Sequence, residues 1–255
     1  MIEQDPWAAK RTVTLPVAEG LQREKDMLGA VCSGAARAGV CVWRSADQAL
    51  VVPRSLARGP AFAAACPVLE AAGYPVLARE TGGDAVPQAA GVCNVAVCFF
   101  IDRHGPEQRS RIDTCYEALC LPLVRWLQQQ GLAASLGSVQ GAFCDGPFNI
   151  VVGTQKVAGT AQRWRQVRGG DGLAVLAHAA LMVEADVHAL VAVTNHFYRL
   201  CNIDRRCQVA SHTTVNVALV AAGRQALDLD RGVARLPALY HELLDAGLLP
   251  GVPSP

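Results

Sequence analysis

Between residues 141 and 163 the chain reads Gly141-Ala-Phe-Cys-Asp-Gly-Pro-Phe-Asn-Ile-Val-Val-Gly-Thr-Gln-Lys-Val-Ala-Gly-Thr-Ala-Gln-Arg163. Two runs with strand character flank Gly153-Thr154, and this pattern predicts a β-hairpin with a two-residue turn. The same stretch brings a thiol, Cys144, close in sequence to an amine, Lys156. A thiol beside an amine is a pair that can carry out acyl-transfer chemistry.

Lysine is rare in this protein. Of its 23 basic residues only three are lysines, and the other two, Lys10 and Lys25, lie near the N-terminus. Arginine does not give up its proton in a protein, whereas lysine does so when it is removed from water. Lys156 is therefore the candidate acid–base group of the 141–163 stretch.

Composition limits the class of protein. The chain has 255 residues, of which 51% are hydrophobic, and a net charge of +1. This is enough apolar sequence for a large core, and it lacks the basic excess of a nucleic-acid or membrane-surface protein. The N-terminal sequence is acidic and without an apolar signal segment, so we expect a cytoplasmic protein. We predict one catalytic domain over 1–255, with a core of about 17–220 and a helical C-terminal part at 186–248.

The ten cysteines do not predict a disulfide framework. In a chain of this size without a secretory signal, cysteines in apolar runs usually act as small buried hydrophobic residues. No Cys-x-x-Cys pair occurs, and the spacing of cysteine and histidine fits no standard zinc pattern. We therefore expect no metal site.

Hydrophobic periodicity predicts a mixed α+β domain, in which a mixed β-sheet is flanked by helices. Helices are expected over 17–38, 60–72 and 110–130, with mostly helical sequence from 186 onwards. Strands are expected at 40–43, 49–52, 75–78, 92–101, 148–152, 155–164 and 173–183.

A regular hairpin would separate Cys144 from Lys156. Cys144 would then lie opposite Arg163, about 23 Å from Lys156 at ~3.3 Å per residue. The turn-forming sequence Asp145-Gly146-Pro147 allows the segment to fold back instead, so we predict that Cys144 lies on a loop that curls toward Lys156. The residues alone leave two alternatives open: Cys144 as one more buried thiol, and Lys156 as a solvated strand residue.

Several segments together resemble a known superfamily. The combination occurs in the order of that family and covers roughly residues 17 to 220. The segments are Arg79-Glu-Thr-Gly-Gly-Asp-Ala-Val86, Gly91-Val-Cys-Asn-Val-Ala-Val97, Ile112-Asp-Thr-Cys-Tyr-Glu-Ala-Leu119, Thr154-Gln-Lys-Val-Ala-Gly-Thr-Ala-Gln-Arg163 and His178-Ala-Ala-Leu-Met-Val183. They resemble the lipoate-protein ligase and octanoyltransferase superfamily, which is related to biotin-protein ligases.

The resemblance implies a biotin/lipoate-protein-ligase-like catalytic domain. Residues 141–150 are similar to the cysteine loop of the branch that moves octanoyl groups from the glycine-cleavage H protein to lipoyl domains of 2-oxoacid dehydrogenase complexes. It implies that Cys144 is the nucleophile and that Lys156 favours its thiolate and carries protons. The implied substrate-binding residues are Arg79, Thr81, Gly82, Gly83, Asn94, Gly159, Thr160 and Ala161.

Other outcomes stay open at this point. The acyl donor is the H protein, acyl carrier protein or coenzyme A, and the cargo is octanoate or lipoate. A transferase needs no cofactor, whereas the alternative, a lipoate-protein ligase, would need ATP and Mg; a third alternative is a non-catalytic homologue that binds lipoyl domains. Asp84 departs from the family pattern. We expect the apolar strand Val92–Phe99, with Ala158, Gly159 and Ala161, to line a tunnel for an eight-carbon chain.

Overall fold

The computed structural model describes residues 11–102 and 108–247. Its strands are β1 (Val13–Leu15), β2 (Ala38–Ser45), β3 (Ala49–Pro53), β4 (Val76–Arg79), β5 (Val86–Gln88), β6 (Val92–Asp102), β7 (Ala134–Leu136), β8 (Ile150–Val152), β9 (Gln155–Gln166) and β10 (Gly172–Met182). Its helices are α1 (Val17–Ser33), α2 (Arg54–Ala57), α3 (Phe62–Ala71), α4 (Gln108–Gln129), α5 (Val187–Leu200), α6 (Val215–Ala221), α7 (Leu229–Gly232) and α8 (Leu236–Asp245).

The strands of the described residues form two sheets. The larger has the order β1-β2-β6-β10-β9-β8-β7, and the smaller has the order β4-β3-β5. Only β1 with β2 and β3 with β4 pair in parallel; the remaining pairs in the described segments are antiparallel. The predicted α+β class with a mixed sheet and flanking helices is confirmed.

Helices cover both faces of the larger sheet, which explains the nearly continuous apolar run of β6. Val95, Val97 and Phe99 belong to the core that contains α4 and α8. Ala96 and Cys98, which alternate with them, belong to the core that contains α1. A strand with helices on both faces has no solvent-facing side, so the polar–apolar alternation disappears.

A third core packs α3 and α5 against the smaller sheet. Leu50, Leu69, Leu190 and Phe197 are almost completely buried in it, together with Phe143. Phe143 directly precedes Cys144 in sequence, so this core fixes one end of the segment that carries the candidate nucleophile.

The first predicted helix was too long. It ends at Ser33 instead of residue 38, and Gly34 follows with φ 77° in the left-handed region. Glycine adopts this conformation without the Cβ penalty and closes the last helical turn. The prediction of a strand from residue 148 was also wrong, since β8 begins only at Ile150.

Three strands were not predicted. β1, β5 and β7 have three residues each and lie at the edges of their sheets. Three residues are too few to show a period of two, so such strands depend on their partners rather than on a sequence pattern. The C-terminal part contains α5 to α8, but residues 201–208 form a non-helical loop and Val209–Ser211 a single 3-10 turn. Across the described ranges, no helix is long and apolar enough to cross a membrane.

Candidate active site

Cys144 lies on a loop, residues 137–149, that connects β7 to β8; we call it the cysteine loop. Asp145 holds this loop together from within. Its Oδ1 accepts hydrogen bonds from the Val139 N–H at 2.8 Å, the Gly146 N–H at 2.8 Å and the Asn149 side-chain amide at 2.7 Å. A carboxylate that bonds nearby backbone N–H groups stabilises a turn, as the sequence Asp-Gly-Pro indicates.

The backbone of Cys144 is strained. Its φ of 47° places a non-glycine residue in the left-handed region. Such a conformation costs roughly 1–3 kcal/mol and persists only when the surroundings hold it, which occurs most often at functional sites. Hydrogen bonds to the N–H of Phe143 and to the carbonyls of Phe143 and Cys144 supply this restraint.

Lys156 on β9 provides the first restraint. Its side chain is fully buried, and its Nζ donates to the carbonyl oxygens of Phe143 at 2.7 Å and Cys144 at 2.9 Å. The predicted return of the loop toward Lys156 is confirmed, and the alternative of a solvated strand residue is wrong. Burial lowers the pKa of Lys156 to about 8, although the nearby Cys144 opposes the shift. The side chain is therefore still mostly an ammonium at neutral pH and titrates close to it.

His212 provides the second restraint. Its Nε2 accepts the Phe143 N–H at 3.1 Å, and its Nδ1 lies 2.8 Å from the carbonyl oxygen of Gln208. Because an N–H must donate and a carbonyl must accept, the proton of the neutral ring is on Nδ1. Burial lowers the pKa of His212 to about 4, so the ring is neutral and its Nε2 remains an acceptor. The ring also stacks on Phe143 with centroids 4.2 Å apart.

A second loop, residues 80–85, approaches the cysteine from the smaller sheet; we call it the glycine loop. The Asp84 N–H donates to Cys144 Sγ at 3.2 Å. Gly83 has φ 97°, and a Cβ added there would lie 2.6 Å from Sγ. Glycine at 83 therefore permits both the backbone conformation and the close approach of the two loops.

Arg79 anchors the glycine loop. Its Nη1 donates to the Val51 carbonyl at 2.9 Å, and its Nη2 donates to the carbonyls of Gly82 at 2.8 Å and Asp84 at 2.7 Å. The side chain of Arg79 is buried between the two sheets' loops and β3 rather than exposed at the surface. Burial lowers the pKa of Arg79, and the neighbouring Cys144 and Asp84 oppose that shift.

Cys144 lines two spaces, one on each side. The first is an enclosed cavity, which also contains Leu21, Val51, Arg79, Val86, Gln88, Asn94, Gly159, Thr160, Ala161, His178 and Ala180. The second is a more open groove, whose walls include Gly82, Gly83, Tyr116, Phe148, Thr160 and Gln162. Cys144, Thr160 and Ala161 line both spaces, so the cysteine lies where the more enclosed cavity meets the more open groove.

Seven of the eight predicted substrate-binding residues line one of these two spaces. Thr81 does not; it lines a neighbouring cavity beside α1, and its buried Oγ1 has no hydrogen-bond partner among the described residues. Asn94 hydrogen-bonds Gln88, with Gln88 Nε2 donating to Asn94 Oδ1 at 2.9 Å. The hydroxyl of Thr160 donates to the Phe148 carbonyl at 2.9 Å.

The predicted tunnel lining was partly wrong. Of Val92–Phe99, Asn94 lines the cavity, whereas the apolar side chains of β6 belong to the hydrophobic cores. Ala158 is also part of a core and not of the cavity lining. The apolar character of β6 reflects packing against helices on both faces, so it carries no information about a ligand.

Sequence reasoning assigned Asp145 to the turn of the cysteine loop but missed His212 and Arg205, which forms an ion pair with Asp84. His212 and Arg205 have no local signal, because they are far in sequence from the residues that they contact. Within the described segments, no group of three or more histidine, cysteine, aspartate or glutamate side chains is arranged to hold a metal ion.

Comparison with known proteins identifies the family of this chain. Residues 57–222 match the family described as the lipoyl protein ligase A/B catalytic domain. The chain belongs to this family. The matched range includes both loops and both restraints on the cysteine, so the resemblance predicted from the sequence motifs is confirmed.

Two curated relatives of this lipoyl ligase family member are about one-third identical to it. An uncharacterized protein from Cupriavidus necator is 34% identical over 214 residues, which are 80% of this chain and 82% of the relative. An octanoyl-[GcvH]:protein N-octanoyltransferase from Kyrpidia tusciae is 34% identical over 161 residues, 59% of this chain and 52% of the relative. The matched region therefore spans about half the length of the named transferase.

A solved structure shares the fold. Lipoate-protein ligase A bound with ATP superposes with a TM-score of 0.54 and 21% identity, covering 91% of this chain and 93% of that chain. At this identity the likeness establishes the fold and not the reaction. The predicted lipoate-protein-ligase-like domain is confirmed.

Proposed function

We propose that this protein is an octanoyltransferase that carries an octanoyl group as a thioester on Cys144. The observation that carries the proposal is the position of Cys144 Sγ, which receives the Asp84 N–H at 3.2 Å and lines both an enclosed cavity and an open groove. The named octanoyltransferase relative supports the same activity.

The enclosed cavity is suited to the acyl chain. Gly159, Ala161 and Ala180 leave space between the strands, and Leu21 and Val51 supply apolar walls. Burying each methylene group of an acyl chain is worth about 0.8 kcal/mol. The cavity is narrow, with a volume of about 20 Å³, so an eight-carbon chain whose carbonyl carbon lies at Cys144 would widen it by moving side chains of the lining.

In the first step Cys144 takes the acyl group. Its thiolate sulfur forms a bond to the carbonyl carbon of an octanoyl-lysine amide, the C–N bond breaks, and the Lys156 ammonium gives a proton to the departing nitrogen. A pKa of about 8 suits Lys156 to this role, since an acid–base group is most effective when its pKa is near the working pH. The Asp84 N–H, which donates a hydrogen bond to Cys144 Sγ, stabilises the thiolate before the attack.

In the second step an acceptor lysine takes the group. Its neutral amine attacks the thioester carbonyl, the C–S bond breaks, and Cys144 leaves as the thiolate. Lys156, now neutral, accepts the proton that the new amide nitrogen loses. The enzyme thus returns to its starting protonation state without any cofactor.

Two protein substrates follow from this scheme. The name of the Kyrpidia relative supports an octanoylated glycine-cleavage H protein as donor. The acceptor proposed here is the lysine of a lipoyl domain of a 2-oxoacid dehydrogenase complex, reached through the open groove. Acyl carrier protein as donor is the alternative, and the cytoplasm is the expected location.

Intact-mass spectrometry tests the proposal. The purified protein is incubated with octanoylated H protein or with octanoyl acyl carrier protein, followed by a lipoyl domain. We expect a mass increase of one octanoyl group that disappears as the lipoyl domain gains it. Cys144→Ser should abolish the transfer, whereas Cys66→Ser, which alters another half-buried thiol, should not.

The same assay separates the alternatives. If Cys144→Ser keeps full activity and the reaction requires ATP, Mg and free octanoate or lipoate, the protein is a ligase and the proposal is wrong. If neither acyl-enzyme nor adenylate forms while a lipoyl domain still binds, the protein is a non-catalytic binding module.

A further inference from the structure

Asp84 has three neighbours that hold it in different ways. Its N–H donates to Cys144 Sγ at 3.2 Å, and its carbonyl oxygen accepts from Arg79 Nη2 at 2.7 Å. Its carboxylate forms an ion pair with Arg205. The backbone of Asp84 therefore contacts the nucleophile while its side chain contacts a loop from a different part of the sequence.

The loop that carries Arg205, residues 201–208, is fastened to α5. Asn195 forms two hydrogen bonds to Cys207: its Nδ2 donates to the carbonyl at 2.9 Å, and its Oδ1 accepts the N–H at 2.7 Å. The Ile203 N–H donates to the Tyr198 carbonyl at 2.8 Å. Arg205 is thus presented to Asp84 from a loop with a defined conformation.

The charges around the cysteine show why Asp84 needs a partner. A carboxylate close to a thiol disfavours the thiolate, and a nearby cation favours it. The groups that interact electrostatically with Cys144 are Lys156, Arg79, Tyr116, Tyr198 and Cys207. Asp145 is next to it in sequence and Asp84 is in contact with it. Lys156 and Arg79 are engaged in hydrogen bonds to carbonyl groups, so Arg205 is the cation that pairs with the Asp84 carboxylate.

We propose that Arg205 is a positioning residue for the nucleophile: through its ion pair with Asp84 it holds the Asp84 N–H on Cys144 Sγ and neutralises the Asp84 carboxylate. The inference rests on the proposed role of Cys144 as the nucleophile. The side chains of Arg205 and Asp84 are 54% and 27% exposed. Exposed ion pairs add little to folding stability, so the effect is expected in the reactivity of the cysteine.

The test is the rate of alkylation of Cys144 by iodoacetamide as a function of pH, with the site assigned by peptide mass mapping. Arg205→Ala should slow alkylation near neutral pH about tenfold and move the midpoint of the pH profile upward by about one unit, since one unit is a tenfold change. Arg205→Lys should retain most of the rate. Arg206→Ala, a matched exposed arginine on the same loop, should behave as the wild type.

A double variant tests whether the unpaired Asp84 carboxylate causes the slower alkylation. Adding Asp84→Asn to Arg205→Ala removes the unpaired carboxylate, so alkylation should recover toward the wild-type pH profile. Unchanged alkylation in Arg205→Ala would overturn the proposal. So would a slow rate that the double variant does not recover, accompanied by a lower melting temperature. Alkylation requires no acyl donor, so it gives an answer even if the proposed octanoyl transfer fails.

Discussion

The cysteine loop and strand β6 both carry thiols, in opposite environments. Cys93 and Cys98 on β6 are completely buried. Burial raises the pKa of Cys93 to about 12 and raises the pKa of Cys98 as well. Cys144 is half-buried, accepts an N–H on its sulfur and has a lysine bonded to its own carbonyl.

The comparison shows that the environment, and not the residue type, makes Cys144 the candidate nucleophile. In the sheet, burial outweighs both the charge of Arg44 near Cys93 and the backbone hydrogen bond of Phe99 to Cys98, so these two thiols behave as small hydrophobic residues. The cysteine loop differs because its residues are held by contacts from distant parts of the chain.

Replacing Lys156 by methionine should make Cys144 nearly as unreactive as the buried thiols of β6. The cysteine then loses its neighbouring cation and the transfer loses its acid–base group, so we expect acyl transfer to fall on the order of 10² to 10⁴-fold. The measurement is the single-turnover rate of acyl-enzyme formation near neutral pH. A rate within a few-fold of the wild type would show that Lys156 has no part in the chemistry.

The Lys156→Met variant also tests whether burial lowers the pKa of the Lys156 side chain. Between the folded pKa of about 8 and the ordinary lysine pKa of 10.5, the unfolded state binds more protons at Lys156 than the folded state. Stability from this group is therefore lost as pH falls through about 8, and the wild type should gain stability from pH 8 to 10.5 relative to Lys156→Met. Chemical denaturation of both proteins across this range measures the difference; a flat difference would contradict the desolvation.

The close approach of the two loops can be broken at Gly83. Gly83→Ala forces a side chain into the left-handed region and against Cys144 Sγ. We expect about 10²-fold slower acyl-enzyme formation, the typical cost of a displacement of about 1 Å at a reacting centre. Gly29→Ala on α1 is the control, because a Cβ there meets nothing within 4 Å and the residue lines neither the cavity nor the groove. Equal losses in the two variants would contradict a specific contact between Gly83 and the sulfur.

Removing the hydrogen bond between His212 and the Phe143 N–H should slow acyl-enzyme formation less than Gly83→Ala does. His212→Phe keeps a ring against Phe143 but leaves the Phe143 N–H without an acceptor, which costs about 1–3 kcal/mol. A tenfold slower acyl-enzyme formation corresponds to about 1.4 kcal/mol, and we expect a loss of that order. Denaturation and single-turnover kinetics measure the two effects.

The titration of His212 gives an independent check. Its folded pKa of about 4 lies below the ordinary histidine pKa of 6.5, so the unfolded state binds more protons between these two pH values. Stability from this group is lost as pH falls through about 4, and the wild type should gain stability from pH 4 to 6.5 relative to His212→Phe. Identical pH dependence in the two proteins would show that the ring is not buried and neutral.

The smallest effect on acyl transfer is expected for a substitution in strand β6. Cys93→Ala removes one buried sulfur from a packed strand and should lower the free energy of unfolding by about 1 kcal/mol. Acyl-enzyme formation should not change, because Cys93 is not among the cavity or groove residues. An altered rate at constant stability would mean that thiols of the core take part in the reaction.

The sequence by itself determined the class of fold and most of the main elements. The hairpin turn at Gly153-Thr154, the apolar run of β6 and the periodicity of α4 are local patterns, and local patterns report local structure. It also indicated the cysteine loop, because Asp145, Gly146 and Pro147 favour a turn next to each other. The family resemblance gave roles to the candidate pair and added eight candidate substrate-binding residues, of which seven line the cavity or the groove.

Only the tertiary structure decided which groups meet Cys144. His212 accepts the N–H of Phe143, the residue before Cys144, and the Asp84 N–H donates to the sulfur of Cys144. Arg205 pairs with Asp84 from a loop that has no turn or periodicity signal in the sequence. These contacts join residues far apart in sequence, and each depends on how three cores place their loops. A sequence pattern records the neighbours of a residue along the chain, whereas the ionisation of a thiol depends on its neighbours in space.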